Sequence, residues 1–323
     1  MANGGDSLRM RPGTIRGGSV NEVDLSVATP AAWPAARGRS ESPLAQAIHR
    51  LRKSTTALVG VVIVGLLIIV AIFADVLAPL SPIVSDQTRT FQPPSWDHPL
   101  GTDQLGRDML SRVIHGSRIS LLVGVSSVLL ALFVGVPFGM IAGYYGGRTD
   151  TVVMRVMDLI LAFPIYLLAI ILMVVFTPTA GLIGTMKVTG AIAIVRIPIY
   201  ARLVRGSVLS IKEKEYIEAC RAVGVRDPWI LLRHVLPNCL APIIVTTTLG
   251  IATSIIVEAT LSFLGLGTQP PTPSWGWDLK ANVAFIQSNL WLSLFPGLAI
   301  FVTVLGFNLF GDGLRDALDP RLK

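Results

Sequence analysis

The chain has 323 residues, of which 52% are apolar and only 15% charged, with a net charge of +7. Its mean hydropathy is +0.64. Soluble domains carry about 25% charged residues, so this composition excludes an ordinary soluble enzyme. The basic residues are scattered between apolar runs, which sets a nucleic-acid-binding role aside.

Residues 1–42 are rich in Gly, Pro, Ser, Ala and Arg and hold few large apolar side chains, so they are expected to form a disordered tail. From Pro43 the pattern changes. Leu44, Ala47, Ile48 and Leu51 recur at helical spacing beside Arg50, Arg52 and Lys53, as in an amphipathic helix lying on a membrane face. The first long apolar run begins only at Ser54. It exceeds the roughly 7–15 residues of a signal core, so no cleaved signal peptide is expected.

Uncharged runs of more than about 18 residues are candidate membrane spans. Ser54–Ala74, Ile119–Gly147, Leu159–Met186 and Ala281–Gly311 qualify. Val235–Leu266 contains Glu258 as its one charge, and the shorter Val188–Ala201 is interrupted by Arg196. The reading is all-α, an integral membrane protein of six transmembrane helices. Its first part, residues 43–118, holds the amphipathic helix, the first span and an outer segment; residues 119–323 hold a five-helix core.

Charge placement orients these spans. Residues 1–53 carry eight Lys/Arg against four Asp/Glu, and residues 202–238 carry seven against four. Residues 75–118 carry four Arg against five Asp, and 265–290 one Lys and one Asp. Basic segments stay on the cytoplasmic side. Both termini and 202–238 are therefore expected inside the inner membrane, and 75–118 and 265–290 outside. Cys220 and Cys239 then face a reducing compartment, which argues for free thiols rather than a disulfide.

In the outer segment, Asp103, Arg107 and Asp108 form a charged cluster, with Arg107 and Arg112 placed on a predicted helix. Capping and salt bridging before the second span account for it. Asp97, His98 and Asp103 have metal-ligand chemistry but no ligand spacing. Gly135, Gly139, Gly143 and Gly147 recur every four residues, so the second span should present a glycine face to another helix. Pro137 and Pro164 should bend their spans.

The polar stretch 215–238, EYIEACRAVGVRDPWILLRHVLPN, interrupts the apolar text. Ser207–Val223 can form one helix, supported by Lys214–Glu218 and Glu218–Arg221 pairs. Gly224 is placed to end it in a left-handed cap. Asp227 followed by Pro228 reads as an N-cap and first helical position, opening a short helix to about Val235, after which Pro237 resets the chain for the fifth span. A helix, sharp turn and helix with small exposed side chains is a docking surface for a partner.

The chain has no GxxxxGK[ST], HExxH or GxSxG, and no paired intramembrane carboxylates, so no catalytic, cofactor or metal residues are nominated. Ion-gradient carriers expose ionisable groups within the bilayer. Glu258 and Arg196 are the deep ones here, either paired with each other or, for Glu258, lining a solute path, and a secondary carrier is the rival reading.

Glu218, Ala219 and Gly224, followed after nine residues by His234, Val235, Leu236 and Pro237, resemble the EAA motif of permease subunits in binding-protein-dependent, ATP-driven importers. Cys220 stands in place of a second alanine and His234 where isoleucine is common. Residues 98–121 (HPLGTDQLGRDMLSRVIHGSRISL), 146–164 (GGRTDTVVMRVMDLILAFP) and 258–276 (EATLSFLGLGTQPPTPSWG) are similar to the dipeptide, oligopeptide and nickel branch, C-type subunit. The resemblance covers about residues 45–323. It implies the type I importer (MetI-like) permease fold, with a coupling helix in the loop 207–238. It also implies a homologous second permease subunit, two cytoplasmic ATPase subunits that bind the ATP, an extracytoplasmic substrate-binding protein, and a lipid bilayer as surroundings. Coupling to the ATPase would fall to Glu215, Glu218, Ala219, Cys220, Gly224 and Pro237, and Glu258 would be a pore or gate residue. The solute would be a di- or oligopeptide.

Overall fold

A computed structural model describes residues 51–318. The expected tail, 1–42, lies outside the described residues, as does all of the amphipathic segment 43–53 except 51–53, which are helical. The elements are α1 (Thr55–Ile72), α2 (Ala74–Leu77), α3 (Met109–Tyr145), α4 (Gly147–Leu161), α5 (Ile165–Phe176), α6 (Gly181–Lys212), α7 (Glu215–Ala222), α8 (Asp227–Ile230), α9 (Leu236–Phe263), α10 (Trp275–Asn282) and α11 (Trp291–Leu318). Among the described residues, five helices are long and apolar enough to cross a membrane, and α4 with α5 makes a sixth span if this bent pair is one crossing.

α1 starts where the Ser54 hydroxyl accepts the Ala57 N–H at 3.3 Å. It is apolar all round, and Val62, Leu66 and Ile72 stay exposed, as on a helix bathed in lipid. Small residues let α1 and α11 touch. A Cβ on Gly60 would stand 2.4 Å from the Phe310 nitrogen, and one on Gly313 2.2 Å from the Ala57 Cβ.

α3 and α6 meet in the same way. Added Cβ atoms at Gly135, Gly139 and Gly143 would come within 2.7 Å of the Ile197 carbonyl, 2.4 Å of the Ala201 carbonyl and 2.8 Å of the Val208 Cβ. Gly147 does not join this face. The helix ends at Tyr145, and Gly146 and Gly147 take φ of +66° and +55° to turn the chain into α4.

The third and fourth expected spans are redrawn. α4 and α5 cross at 87° around a break that includes Pro164, which removes a helix N–H and disfavours helix before it. The run Leu159–Met186 is not one helix. α5 stops at Phe176, Thr177 takes φ +58°, and Gly181 takes φ +66° to open α6. Val188–Ala201 is then the middle of the 32-residue α6. Hydropathy alone hid the turn because its residues, Thr-Pro-Thr-Ala, carry no charge. Asp150–Arg205 and Asp158–Arg202 ion pairs fasten α4 to α6.

α8 passes through a π-helical turn, Leu231–Val235, directly into α9. Pro237 therefore does not reset the chain. The Leu236 N–H bonds the Leu231 carbonyl five residues back, and this widened turn accommodates a residue that has no N–H to give.

One end of the bundle gathers α2, residues 78–108 and residues 264–290. Arg107 precedes the helix rather than lying on it: Asp108 is the N-cap of α3, accepting the Ser111 N–H at 2.8 Å. Asp103 pairs with Arg107 at 2.6 Å, and His98 Nδ1 lies 3.0 Å from Asp108. Arg112 forms a fully buried ion pair with Asp278 of α10, and Trp275 Nε1 donates to the Val113 carbonyl at 2.8 Å. The opposite end carries the polar hairpin.

Candidate functional site

The hairpin begins where α6 stops. Ser207–Val223 is not one helix: Glu213 ends α6, Lys214 is extended, and α7 starts at Glu215. α7 turns Ile217 inward, where it is fully buried with Ile230, Leu231 and Val235 against Tyr144, Val204, Val208 and Cys239. Cys220 is half-buried and packs on the same cluster.

The turn itself is a Schellman cap. Gly224 has φ +80°. The Val225 N–H bonds the Cys220 carbonyl at 3.0 Å and the Gly224 N–H bonds the Arg221 carbonyl at 2.9 Å, the paired bonds of that motif. Asp227 is not the N-cap of α8; Arg226 is, and Pro228 occupies the first turn. The Asp227 carboxylate instead accepts from the Tyr144 hydroxyl at 2.7 Å, while Arg221 Nε donates to that hydroxyl at 3.3 Å. The Arg221 guanidinium also sits 4.9 Å from the Tyr144 ring centre. α3, α7 and α8 are thereby tied at one aromatic post.

The anchored hairpin leaves a distinct outer surface. Glu215, Glu218, Ala219, Ala222 and Gly224 are exposed. Val223 is 80% exposed and Trp229 59%. The structure thus brings Glu215, Glu218, Ala219, Cys220 and Gly224 onto one hairpin. Pro237 is exposed at its root, at the start of α9.

Glu258 lies near the other end of α9, fully buried. It accepts from Ser262 at 2.8 Å, Ser274 at 3.0 Å and Ser120 at 3.4 Å. It is not paired with Arg196, whose hydrogen bond goes to Thr253. Sequence reasoning missed Tyr144 and the Arg112–Asp278 pair. Their partners lie far off in the chain, and only the polar character of Arg112 and Asp278 beside apolar runs could have drawn attention.

Comparison with known proteins agrees with this geometry. Residues 135–323 match the family model described as binding-protein-dependent transport system inner membrane component. Residues 42–94 match the N-terminal TM domain of oligopeptide transport permease C. The dipeptide transport system permease protein DppC of Alkalihalophilus pseudofirmus is 46% identical, over 87% of this chain and 91% of its own. The di/tripeptide transport system permease protein DppC of Pseudomonas aeruginosa is 44% identical, over 87% and 93%. The glutathione transport system permease protein GsiD of Pectobacterium atrosepticum is 43% identical, over 91% and 96%. Among solved structures, the inward-facing MetNI methionine ABC transporter superposes with a TM-score of 0.54 at 17% identity, over 65% of this chain and 98% of that one. The fold is that of a type I importer permease, and the chain belongs to the family of binding-protein-dependent transport system inner membrane components.

Proposed function

We propose that this chain forms half of the pore of an ATP-driven importer of short peptides, coupled through its hairpin to a separate ATPase subunit. The observation that carries the reading is the hairpin: a rigid, capped turn with exposed Val223 and Trp229, pinned by buried Ile217 and Ile230 to the helices it would move. Its stiffness suits force transmission, since a push on α7 reaches α6, α3 and α9 through packed side chains rather than a loose linker.

In this reading Glu215, Glu218, Ala219 and Cys220 meet a cleft in the ATPase, Gly224 sets the turn, and Pro237 lies at its root. Two ATPases hydrolyse ATP, a homologous second permease completes the pore, and an extracytoplasmic binding protein delivers the solute. Both termini and the hairpin face the cytoplasm, as the excess of Lys/Arg in 1–53 and 202–238 supports. Glu258, held by three serines where α3, α9 and the 264–290 segment meet, is a gate residue whose cage must open for the outer end to move. The printed names of relatives specify dipeptides, di/tripeptides and glutathione, which supports a short peptide as the solute. Family membership leaves the ion-gradient carrier without support.

Vesicles holding the chain with its partner subunits test the proposal. Peptide uptake should need ATP, the ATPases and loaded binding protein, and should survive an ionophore. Uptake that persists without ATP and collapses with the ionophore refutes it.

A further inference from the structure

Arg196 stands out among the deep charges. It lies midway along α6, and two neighbours on the same helix each have an acidic partner: Arg202 pairs with Asp158 and Arg205 with Asp150. Arg196 forms no ion pair among the described residues. Its Nη2 donates to Thr253 Oγ1, and its Nε is buried without a hydrogen-bond partner. Nη1 lies 3.6 Å from the point a Cβ on Gly250 would occupy.

The guanidinium borders a cavity of about 250 Å³ between α5, α6 and α9, lined otherwise by Tyr166, Val195, Ile199, Thr253 and Val257. An unpaired cation at this depth is expensive against lipid, so such groups face a bundle interior or a water-filled path. The planar fork of Arg matches a carboxylate, and a mostly apolar wall strengthens that attraction. Among the described residues no carboxylate pairs with this guanidinium.

From this geometry we infer that Arg196 is a carboxylate-binding point on the translocation path, where the solute's own carboxylate makes the ion pair that Arg196 does not form among the described residues. The inference rests on the peptide reading, since every short peptide with a free C-terminus carries such a group. Thr253 is the positioning residue, holding one guanidinium nitrogen so that the others are free to turn to the cavity.

The test is uptake of a labelled dipeptide by vesicles holding the complete importer. Arg196→Met should lower uptake about tenfold, the size of one lost charge-assisted contact. ATP hydrolysis stimulated by the loaded binding protein should be retained. Arg196→Lys, which keeps the cation, should recover at least about half of the uptake. Uptake by Arg196→Met within about twofold of wild type overturns the inference. So does a loss that Arg196→Lys does not relieve, because that is the mark of a packing role. If Arg196→Met does not assemble, the Lys variant decides: assembly with near-normal uptake supports the site, and assembly with lost uptake overturns it, as does a Lys variant that fails to assemble. Absence of uptake by the wild-type importer overturns the peptide reading and this inference with it.

Discussion

Replacing Gly224 by valine isolates the coupling turn from the membrane fold. A Cβ at this position would meet nothing within 4 Å, so the substitution brings no clash. The cost is backbone strain alone: at φ +80° an L-residue loses about 1–2 kcal/mol, with a β-branched one at the upper end. The chain can relieve that strain only by giving up the two cap bonds, Val225 N–H to Cys220 and Gly224 N–H to Arg221, each worth about 1 kcal/mol. Either way the native turn becomes about 5–30-fold less favoured over its alternatives. The helices should be untouched, because Ile217 and Ile230 remain buried in a cluster that does not include Gly224. The assay is co-purification of the partner ATPases in detergent, read beside thermal stability and membrane insertion of the variant. Gly224→Val should insert normally and lose most ATPase association and transport. Gly224→Asn should retain more of both, since asparagine tolerates the left-handed region. Normal co-purification and transport by Gly224→Val would refute the reasoning.

Glu218→Lys reverses an exposed charge, so it should weaken ATPase association while leaving thermal stability within about 0.5 kcal/mol of wild type; unchanged association points to a solvated linker. Gly139→Leu drives a side chain into the Ala201 carbonyl and should destabilise the chain by about 1–3 kcal/mol or more, seen as a lower Tm. Gly206→Ala on α6 meets open space at ordinary helical φ and should cost less; equal losses at the two sites would contradict the α3–α6 contact. Asp278→Asn breaks a fully buried ion pair and should cost about 3–5 kcal/mol, whereas Arg112→Met with Asp278→Leu should cost less than either single change. A double-mutant cycle on Tm checks this, and additive losses would argue against the pair.

The sequence made the hairpin legible because its signals are local. Gly224 at a helix end and Pro228 at the start of the next act within a few residues, and the structure keeps both. The glycine face of α3 was legible for the same reason, up to Gly143. What escaped detection depends on distance or on uncharged turns. The bend at Pro164 was legible from the proline itself, but the break at Thr177 lies in apolar text, where hydropathy has no contrast. Pro237 reads as a stop in sequence, yet the π-turn before it absorbs the missing N–H. Asp227 reads as a cap, but the Tyr144 hydroxyl, reached only in the folded chain, takes its carboxylate. The Glu258 cage needs serines from three segments, which no spacing rule connects.

The coupling claim is tested most directly by a photo-crosslinking amino acid placed at Ala222, on the exposed side of α7, in cells that make the whole importer. Illumination should give an adduct between this chain and the ATPase subunit, and Gly224→Val should reduce it. An Ala222 position that instead reacts with a membrane-impermeant reagent from outside intact cells, or an adduct to lipid alone, would contradict the account.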